Sequence, residues 1–276
     1  MSAVGAAVTV VIPVWDAYVD FLPDAVESVR RNAREAPIVV VDNASSRAVP
    51  PIEGGEVVRS SRRLTEGAAR NLGLEHVETE FVLFLDADDM LLDGTLQFMY
   101  GRMAADPAIA VAATSILDGE TGERHRTPRP FASRLARWPR LFAVADSIWS
   151  LLPIQGCALM RTRQVRDAGG YADSNLAEDW DLAAALTWRG RIEISDRLGR
   201  YYRWIEGSPG RRSRSTDQLR VSARRIRDRL RGDGALPRWA RALIPAIAAL
   251  QLAAIYLARP GYLAARRLAR RGPNIR

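Results

Sequence analysis

Residues 81–89 read FVLFLDADD. A short apolar run bounded by polar residues predicts a buried strand from Phe81 to Leu85. The run then breaks into Asp86, Ala87, Asp88 and Asp89, and carboxylates crowded past the end of a buried strand repel one another. A positive group relieves that repulsion, and a divalent cation carrying a diphosphate is the usual one. In open α/β sheets, ligands bind at the carboxyl ends of the strands, where these acids fall. The plainer alternative is an Asp-rich turn capping the next helix, which Asp93-Gly94-Thr95 could do alone.

The segments on either side extend the pattern. Val8 to Val14 (VTVVIPV) is a β-branched run, predicted as a buried first strand. Asp20 to Ala33 predicts a helix with Leu22, Ala25, Val26 and Val29 on one face and Pro23 in its first turn. Ile38 to Val41 is a second strand, stopped by the turn formers Asp42-Asn43-Ala44-Ser45-Ser46. Val57-Val58 is a short third strand and Thr65 to His76 a helix. Downstream, helices are expected at Leu92 to Ala105, Val165 to Gly170 and Asn175 to Trp188, and strands at Ile109 to Ser115, Ile154 to Arg161 and Tyr201 to Trp204. Glu120 to Arg140 is polar, with Pro128, Pro130 and Pro139, and predicts an extended loop of the kind that tends to be functional or mobile. Strand and helix alternate, so the expectation is an α/β domain with a parallel sheet and helical crossovers.

The chain is long enough, at 276 residues, for one large α/β domain plus an appendage, and its apolar content of 47% is that of a globular protein. Cys157 is the single cysteine, which excludes an intrachain disulfide and points to a reducing compartment or a cytosolic face. No basic region followed by a long apolar run opens the sequence, so no secretory signal is expected. Every one of the 40 basic residues is arginine, and they are unevenly placed. Residues 1–199 carry 21 Arg against 28 acids, whereas residues 200–276 carry 19 Arg against 4. A basic C-terminal quarter suits an anionic surface.

Within that quarter, Gln218 to Arg231 predicts a charged helix, and Ala242 to Ala258 is an uncharged stretch of 17 residues. It is shorter than the roughly 20 apolar residues a spanning helix needs. Leu243, Ile247, Leu250, Ala254 and Leu257 form a stripe at helical spacing, with arginines at both ends. Such a helix can pack on the rest of the chain or on a partner, lie on an anionic membrane, or span one.

Two further polar sites accompany Asp86. Asp42 ends the second strand on the same sheet edge, where a carboxylate could accept from a nucleobase N–H or simply hold its turn. Arg62 to Asn71 (RRLTEGAARN) brings cations there, and Arg70 could reach a phosphate or pair with Asp86. Glu178-Asp179-Trp180-Asp181 opens a helix, where acids are ordinary because the helix dipole favours them. The ordered set is more specific than any member.

In that order, VTVVIPVWD, VVVDNAS, GAARNLGL, FLDADD and EDWDL resemble an inverting glycosyltransferase of family 2 with the GT-A fold, over roughly residues 8–215. The resemblance implies a GT-A type, Rossmann-like and mainly parallel sheet flanked by helices in residues 1–215, with residues 216–276 as a basic helical extension. It implies a nucleoside-diphosphate sugar donor, with UDP, dTDP and GDP all open, and Mn²⁺ or Mg²⁺ as cofactor. Pro13 and Val14 would line the nucleoside pocket, Asp42 would hold the base, and Arg70 and Asp86 would serve the diphosphate. Asp88, with Asp86, would hold the metal; Asp179 would be the general base with Glu178 beside it; and Gln155, Gly156 and Trp180 would line the acceptor side. The acceptor would be a glycan, a lipid-linked or envelope sugar, or a small natural product. The enzyme would be cytoplasmic or at the cytoplasmic face of an anionic membrane, held by its C-terminal helices.

Two departures stand out. The family often carries a His after the last strand in a Tyr-Arg-x-His context; here Ile205 holds that place in Tyr202-Arg203-Trp204-Ile205-Glu206-Gly207-Ser208. The first strand ends in Trp15-Asp16, where an aromatic followed by Asn is common. Rival readings fare less well. A sugar-nucleotide nucleotidyltransferase needs a Gly-rich loop after the first strand, yet no glycine lies between Gly5 and Gly54. Nucleic-acid binding is disfavoured by an acidic front half and by arginines lacking interleaved aromatics. A catalytically impaired member acting as a scaffold is the alternative that the missing His suggests.

Overall fold

A computed structural model describes residues 2–119, 124–125, 130–203, 205 and 215–258. The first half runs α1 (Ala3–Ala7), β1 (Val8–Val14), α2 (Leu22–Asn32), β2 (Ile38–Asp42), β3 (Gly55–Arg59), α3 (Glu66–Glu75), β4 (Phe81–Phe84), β5 (Met90–Leu91) and α4 (Thr95–Ala105). Then follow β6 (Ile109–Asp118), β7 (Arg124–His125), α5 (Pro130–Leu135), α6 (Pro139–Ile148), β8 (Ala158–Arg161), α7 (Thr162–Asp167), α8 (Glu178–Leu186) and β9 (Arg191–Tyr202). Three helices close the described chain: α9 (Thr216–Gly232), α10 (Arg238–Ala242) and α11 (Ile244–Ala253).

One sheet runs in the order β3-β2-β1-β4-β8-β6-β9-β5, with β7 beside β6. β3, β2, β1 and β4 are mutually parallel. The expected mainly parallel sheet has antiparallel neighbours beyond β4: β8 runs antiparallel to both β4 and β6, and β5 antiparallel to β9. β8 follows its neighbour by long excursions through α5 and α6, so no βαβ crossover constrains its direction.

The apolar runs are continuous because both faces of the sheet are covered. Val8, Val10, Ile12 and Val14 of β1 pack with Leu22, Ala25 and Val29 of α2 and Met99 and Met103 of α4. Val11, Val41, Val82 and Phe84 point the other way, against Ala69 and Leu74 of α3 and Leu182 and Leu186 of α8. Alternation of side chains along a strand thus feeds two cores at once.

Two expectations are revised. Residues 130–140 do not form an extended loop: α5 and the start of α6 occupy them, with Pro139 at the first turn of α6, where a missing N–H costs nothing. Residues 120–123 and 126–129 lie outside the described residues. The last strand begins at Arg191, ten residues before Tyr201, because the polar alternation of Arg191 to Arg200 belongs to a partly exposed strand whose register slips against β6.

The C-terminal helices pack back on α8. Trp180 and Ala184 of α8 form one buried cluster with Ala223, Ile226 and Leu230 of α9, Ala240 of α10, and Ile244 and Ile255. Part of the basic charge is satisfied within the fold: Arg225 and Arg229 both pair with buried Asp181, and Arg189 grips Asp233 at 2.6 and 2.8 Å.

Candidate active site

Parallel register puts the carboxyl ends of three strands side by side, with Val14 opposite Asp42 and Val11 opposite Phe84. Asp42, Asp86 and the residues that follow β1 therefore share one edge. The second half of the site arrives from α3 and α8. Gly67 at the start of α3 lies so close to the 172–174 loop that an added Cβ would fall 1.9 Å from Ala172 O, and this contact brings α3 against the segment leading into α8. Ala177, immediately before α8, takes a left-handed conformation (φ 51°), a strained position for a residue with a Cβ and one common at functional sites.

Arg70 is the junction. Buried on α3, it donates to Asp86 at 2.8 Å and to Glu178 Oε1 at 2.9 Å. Burial works to raise the Asp86 carboxyl, but the Arg70 and Arg200 guanidiniums outweigh it and hold the group below its usual range. Glu178 is pushed up to about 7 by burial and by the neighbouring Asp179 charge, with Arg70 opposing. Gln155 Nε2 approaches the same Glu178 oxygen at 3.4 Å. The next residue on α8, Asp179, is half-buried and carries a buried Oδ1 without a partner among the described residues.

Arg200 on β9 is a second buried cation. It pairs with Asp89, lies 3.6 Å from Asp86, and donates to Gln155 O at 2.6 Å. Gly156, next to Gln155, is left-handed (φ 62°), and its missing Cβ leaves the space that the Arg200 side chain fills. Asp88 differs from its neighbours: no arginine pairs with its carboxylate among the described residues, and burial and adjacent Asp86 push it up to about 6. Arg203 fastens the end of β9 to this turn, donating from its N to Asp89 at 3.1 Å and from Nε to Asp88 O at 3.1 Å. Trp204 and residues 206–214 lie outside the described residues.

The sheet edge around Asp42 is less open than the sequence suggests. Asp42 is buried, accepts from Ser45 N at 2.9 Å, and pairs with Arg59 at 2.5 Å. Burial would raise its carboxyl, but the Ser45 and Val49 N–H groups and Arg59 hold it low. Val14 is corrected as a pocket-lining side chain: it packs in the core beneath the sheet, and only its carbonyl, accepting from Asn43 N at 2.9 Å, faces the turn. Pro13 is half-buried on the opposite face. Trp15 lies under the Arg63 guanidinium at 3.6 Å from its ring centroid, a flat polar-edged stack beside Asp42 that strand pattern alone could not have revealed. Trp180 is buried: its indole N–H donates to Asp146 O at 2.6 Å and its ring joins the cluster under α9, because helical period turns it off the face that carries Asp179.

Three participants escaped the sequence reading. Arg200 sits in an exposed-looking polar strand; Tyr171, edge-on to Phe84 with ring centroids 4.9 Å apart and 5.3 Å from the Arg70 guanidinium, has a buried hydroxyl without a partner among the described residues; and Asp146 is fully buried, within reach of the Asp179 charge. None is flagged by local pattern, since the site residues they meet (Asp86 for Arg200, Arg70 for Tyr171, Asp179 for Asp146) lie far away in sequence.

Comparison with known proteins follows the same lines. A sequence profile described as glycosyl transferase family 2 matches residues 9–168. Curated relatives named pre-mycofactocin glycosyltransferase, from Mycobacterium tuberculosis strains CDC 1551 / Oshkosh and ATCC 25618 / H37Rv, are 29% identical over 212 residues. That match takes in 69% of this chain, which spans 40% of those relatives' length. Among solved structures, S. aureus TarS 1-349 in complex with UDP-GlcNAc superposes with a TM-score of 0.68 at 19% identity, over 90% of this chain and 73% of that one. The same protein in complex with UDP gives 0.66 at 19% identity, over 90% and 71%. The fold is of the GT-A type that these structures share.

Proposed function

The chain belongs to glycosyl transferase family 2, and we propose that it is an inverting glycosyltransferase moving a sugar from a nucleoside-diphosphate sugar to an acceptor hydroxyl. The observation that carries this reading is the Arg70 bridge, which draws the Asp86 turn and the Glu178-Asp179 helix start, far apart in sequence, onto one guanidinium. UDP and UDP-GlcNAc in the structural neighbours favour a uridine donor.

The roles follow from the chemistry each group can do. An acceptor hydroxyl is a poor nucleophile, so a carboxylate must take its proton as it attacks the anomeric carbon. Asp179 is that base: its buried Oδ1 has no partner among the described residues, whereas Glu178 is held by Arg70 and serves to orient. Attack from the face opposite the leaving diphosphate inverts the anomeric centre in one displacement. Arg70 and Arg200 set the charge around the diphosphate end, and Gln155 and Gly156 border the acceptor side. Trp15, Pro13 and Asp42 receive the nucleoside, with Arg59 moving aside as the base engages Asp42.

Asp86 and Asp88 fit a divalent cation. Asp88 is a half-buried carboxylate with raised proton affinity and, among the described residues, no arginine partner, a position that an ion of charge two would relieve. No group of three or more His, Cys, Asp or Glu among the described residues could hold a metal, so diphosphate oxygens would complete the set. Mn²⁺ or Mg²⁺ held there would offset charge on the departing nucleoside diphosphate.

The acceptor is a glycan, a lipid-linked sugar or a small molecule, and the arginine-rich C-terminal helices attach the protein to the cytoplasmic face of an anionic membrane. No described helix is long and apolar enough to cross a bilayer. The test is a panel of UDP-, dTDP- and GDP-sugars with Mn²⁺, Mg²⁺ or EDTA, scoring donor hydrolysis and thermal shift. A donor-specific, EDTA-sensitive signal is expected; no shift with any donor would sink the enzyme reading.

A further inference from the structure

The outer face of the C-terminal helices is apolar where a water-facing helix should be charged. Residues 242–258 hold no charged side chain, yet among the described residues 242–257 only Ile244, Ile247, Gln251 and Ile255 are buried. Leu243, Leu250, Leu252, Tyr256 and Leu257 are left outside, Leu257 at 77% exposure. Apolar surface on this scale marks an interaction site.

The surface does not stop at the C-terminal segment. Trp239 on α10, 44% exposed, meets Trp188 edge-on at 5.8 Å, and the Arg140 guanidinium of α6 lies 5.8 Å from the Trp239 ring. The start of α6 is therefore beside α10. It carries Trp138 at 69% exposure and Leu141 at 55%. Exposed Arg137, Arg140, Arg238 and Arg241 alternate with these residues, and residues 130–145 and 234–258 contain no Asp or Glu.

We propose that Trp138, Leu141, Trp239 and Leu243, with the outward face of α11, form a bilayer-docking surface that sits in the headgroup layer of an anionic phospholipid membrane. The proposal rests on the membrane attachment stated above and deepens it: the contact includes α6, a helix of the catalytic domain, and fixes which side of that domain faces the lipid. Tryptophan suits this layer because its ring is apolar and its N–H polar. The arginines meet lipid phosphates, since basic side chains near an anionic surface are attracted to it. A second copy of the chain fits less well. A two-fold contact through this patch would set the same arginines against one another, with no acid to separate them.

Truncating α10 and α11 would uncover the cluster around Trp180 and Ile226, so the test uses point variants of the full chain. Wild type and a Trp138→Ser/Leu141→Ser double variant are sedimented with phosphatidylcholine vesicles with and without phosphatidylglycerol. Wild type should bind only the phosphatidylglycerol vesicles, and the double variant should bind at least about tenfold more weakly, with unchanged melting temperature and unchanged thermal shift by UDP. If wild type binds and the double variant binds equally, α6 is not at the lipid and this inference falls while tail attachment stands. If wild type ignores anionic vesicles, both fall. Concentration-dependent dimerisation that the double variant abolishes would overturn the proposal in favour of a second copy.

Discussion

Arg70 and Glu178 are separated by 108 residues of sequence and by 2.9 Å in the fold, and the same guanidinium reaches Asp86 at 2.8 Å. Removing it would leave the buried Glu178 carboxylate without a cation and Asp86 with Arg200 alone, at 3.6 Å. Arg70→Met should therefore cost about 3–5 kcal/mol of stability, the range for breaking a buried pair. Urea unfolding checks this, and a loss under about 1 kcal/mol would show that the bridge is dispensable to the fold. Arg70→Lys should be intermediate, since one ammonium cannot match the planar fork.

Asp179 and Glu178 should separate by function. Asp179→Asn is expected to lower kcat about 10²- to 10⁴-fold, the usual contribution of a general base, with UDP affinity retained. Single-turnover kinetics with calorimetric UDP binding would read the two effects apart. Equal turnover in the variant would remove Asp179 from the mechanism.

Asp146 predicts how stability follows pH. Its carboxyl is buried, one oxygen accepts from Leu151 N at 2.7 Å and Leu152 N at 2.9 Å, and the other has no partner. Burial, which those N–H groups only partly offset and Asp179 reinforces, pushes it up to about 7. The folded state then holds a proton that the unfolded state releases near pH 4, so stability should fall as pH rises from about 4 to 7. Glu178, also pushed up to about 7, acts with the same sign. Asp146→Asn should flatten that slope, gaining on the order of 2–4 kcal/mol relative to wild type at pH 8 compared with pH 4. Parallel urea-midpoint profiles for the two proteins would contradict the assignment.

Trp180 should behave as a packing residue. Trp180→Ala opens a cavity beneath α9 and strands Asp146 O, at an expected cost of about 3–5 kcal/mol. Donor hydrolysis per folded molecule should stay within about twofold of wild type at low temperature. A large activity loss at unchanged stability would return the residue to the acceptor cleft.

The chain's local pattern was enough for the strands from Val8 to Phe84, the helices between them, and the acidic turn at their carboxyl edge. Those features depend on side-chain period and on turn formers a few residues apart, and such information is carried by the neighbouring residues themselves. The same economy misled at Arg191 to Arg200, where a half-exposed strand lacks an apolar run, and at 130–140, where prolines suggested a loop but Pro130 and Pro139 each open a helix.

What the local pattern could not contain was the pairing of charges. Whether Arg70 lies on a surface, Asp42 is open to a base, or Trp180 faces a cleft is decided by which segment packs alongside, and those segments come from over a hundred residues away in the case of Glu178. Burial strengthens such pairs by excluding water, and only the closed fold supplies the burial. The sequence by itself therefore determined the sheet edge and its acids. Tertiary structure decided which acids are neutralised by buried arginines, and which, Asp88 and Asp179, are left with an oxygen to offer.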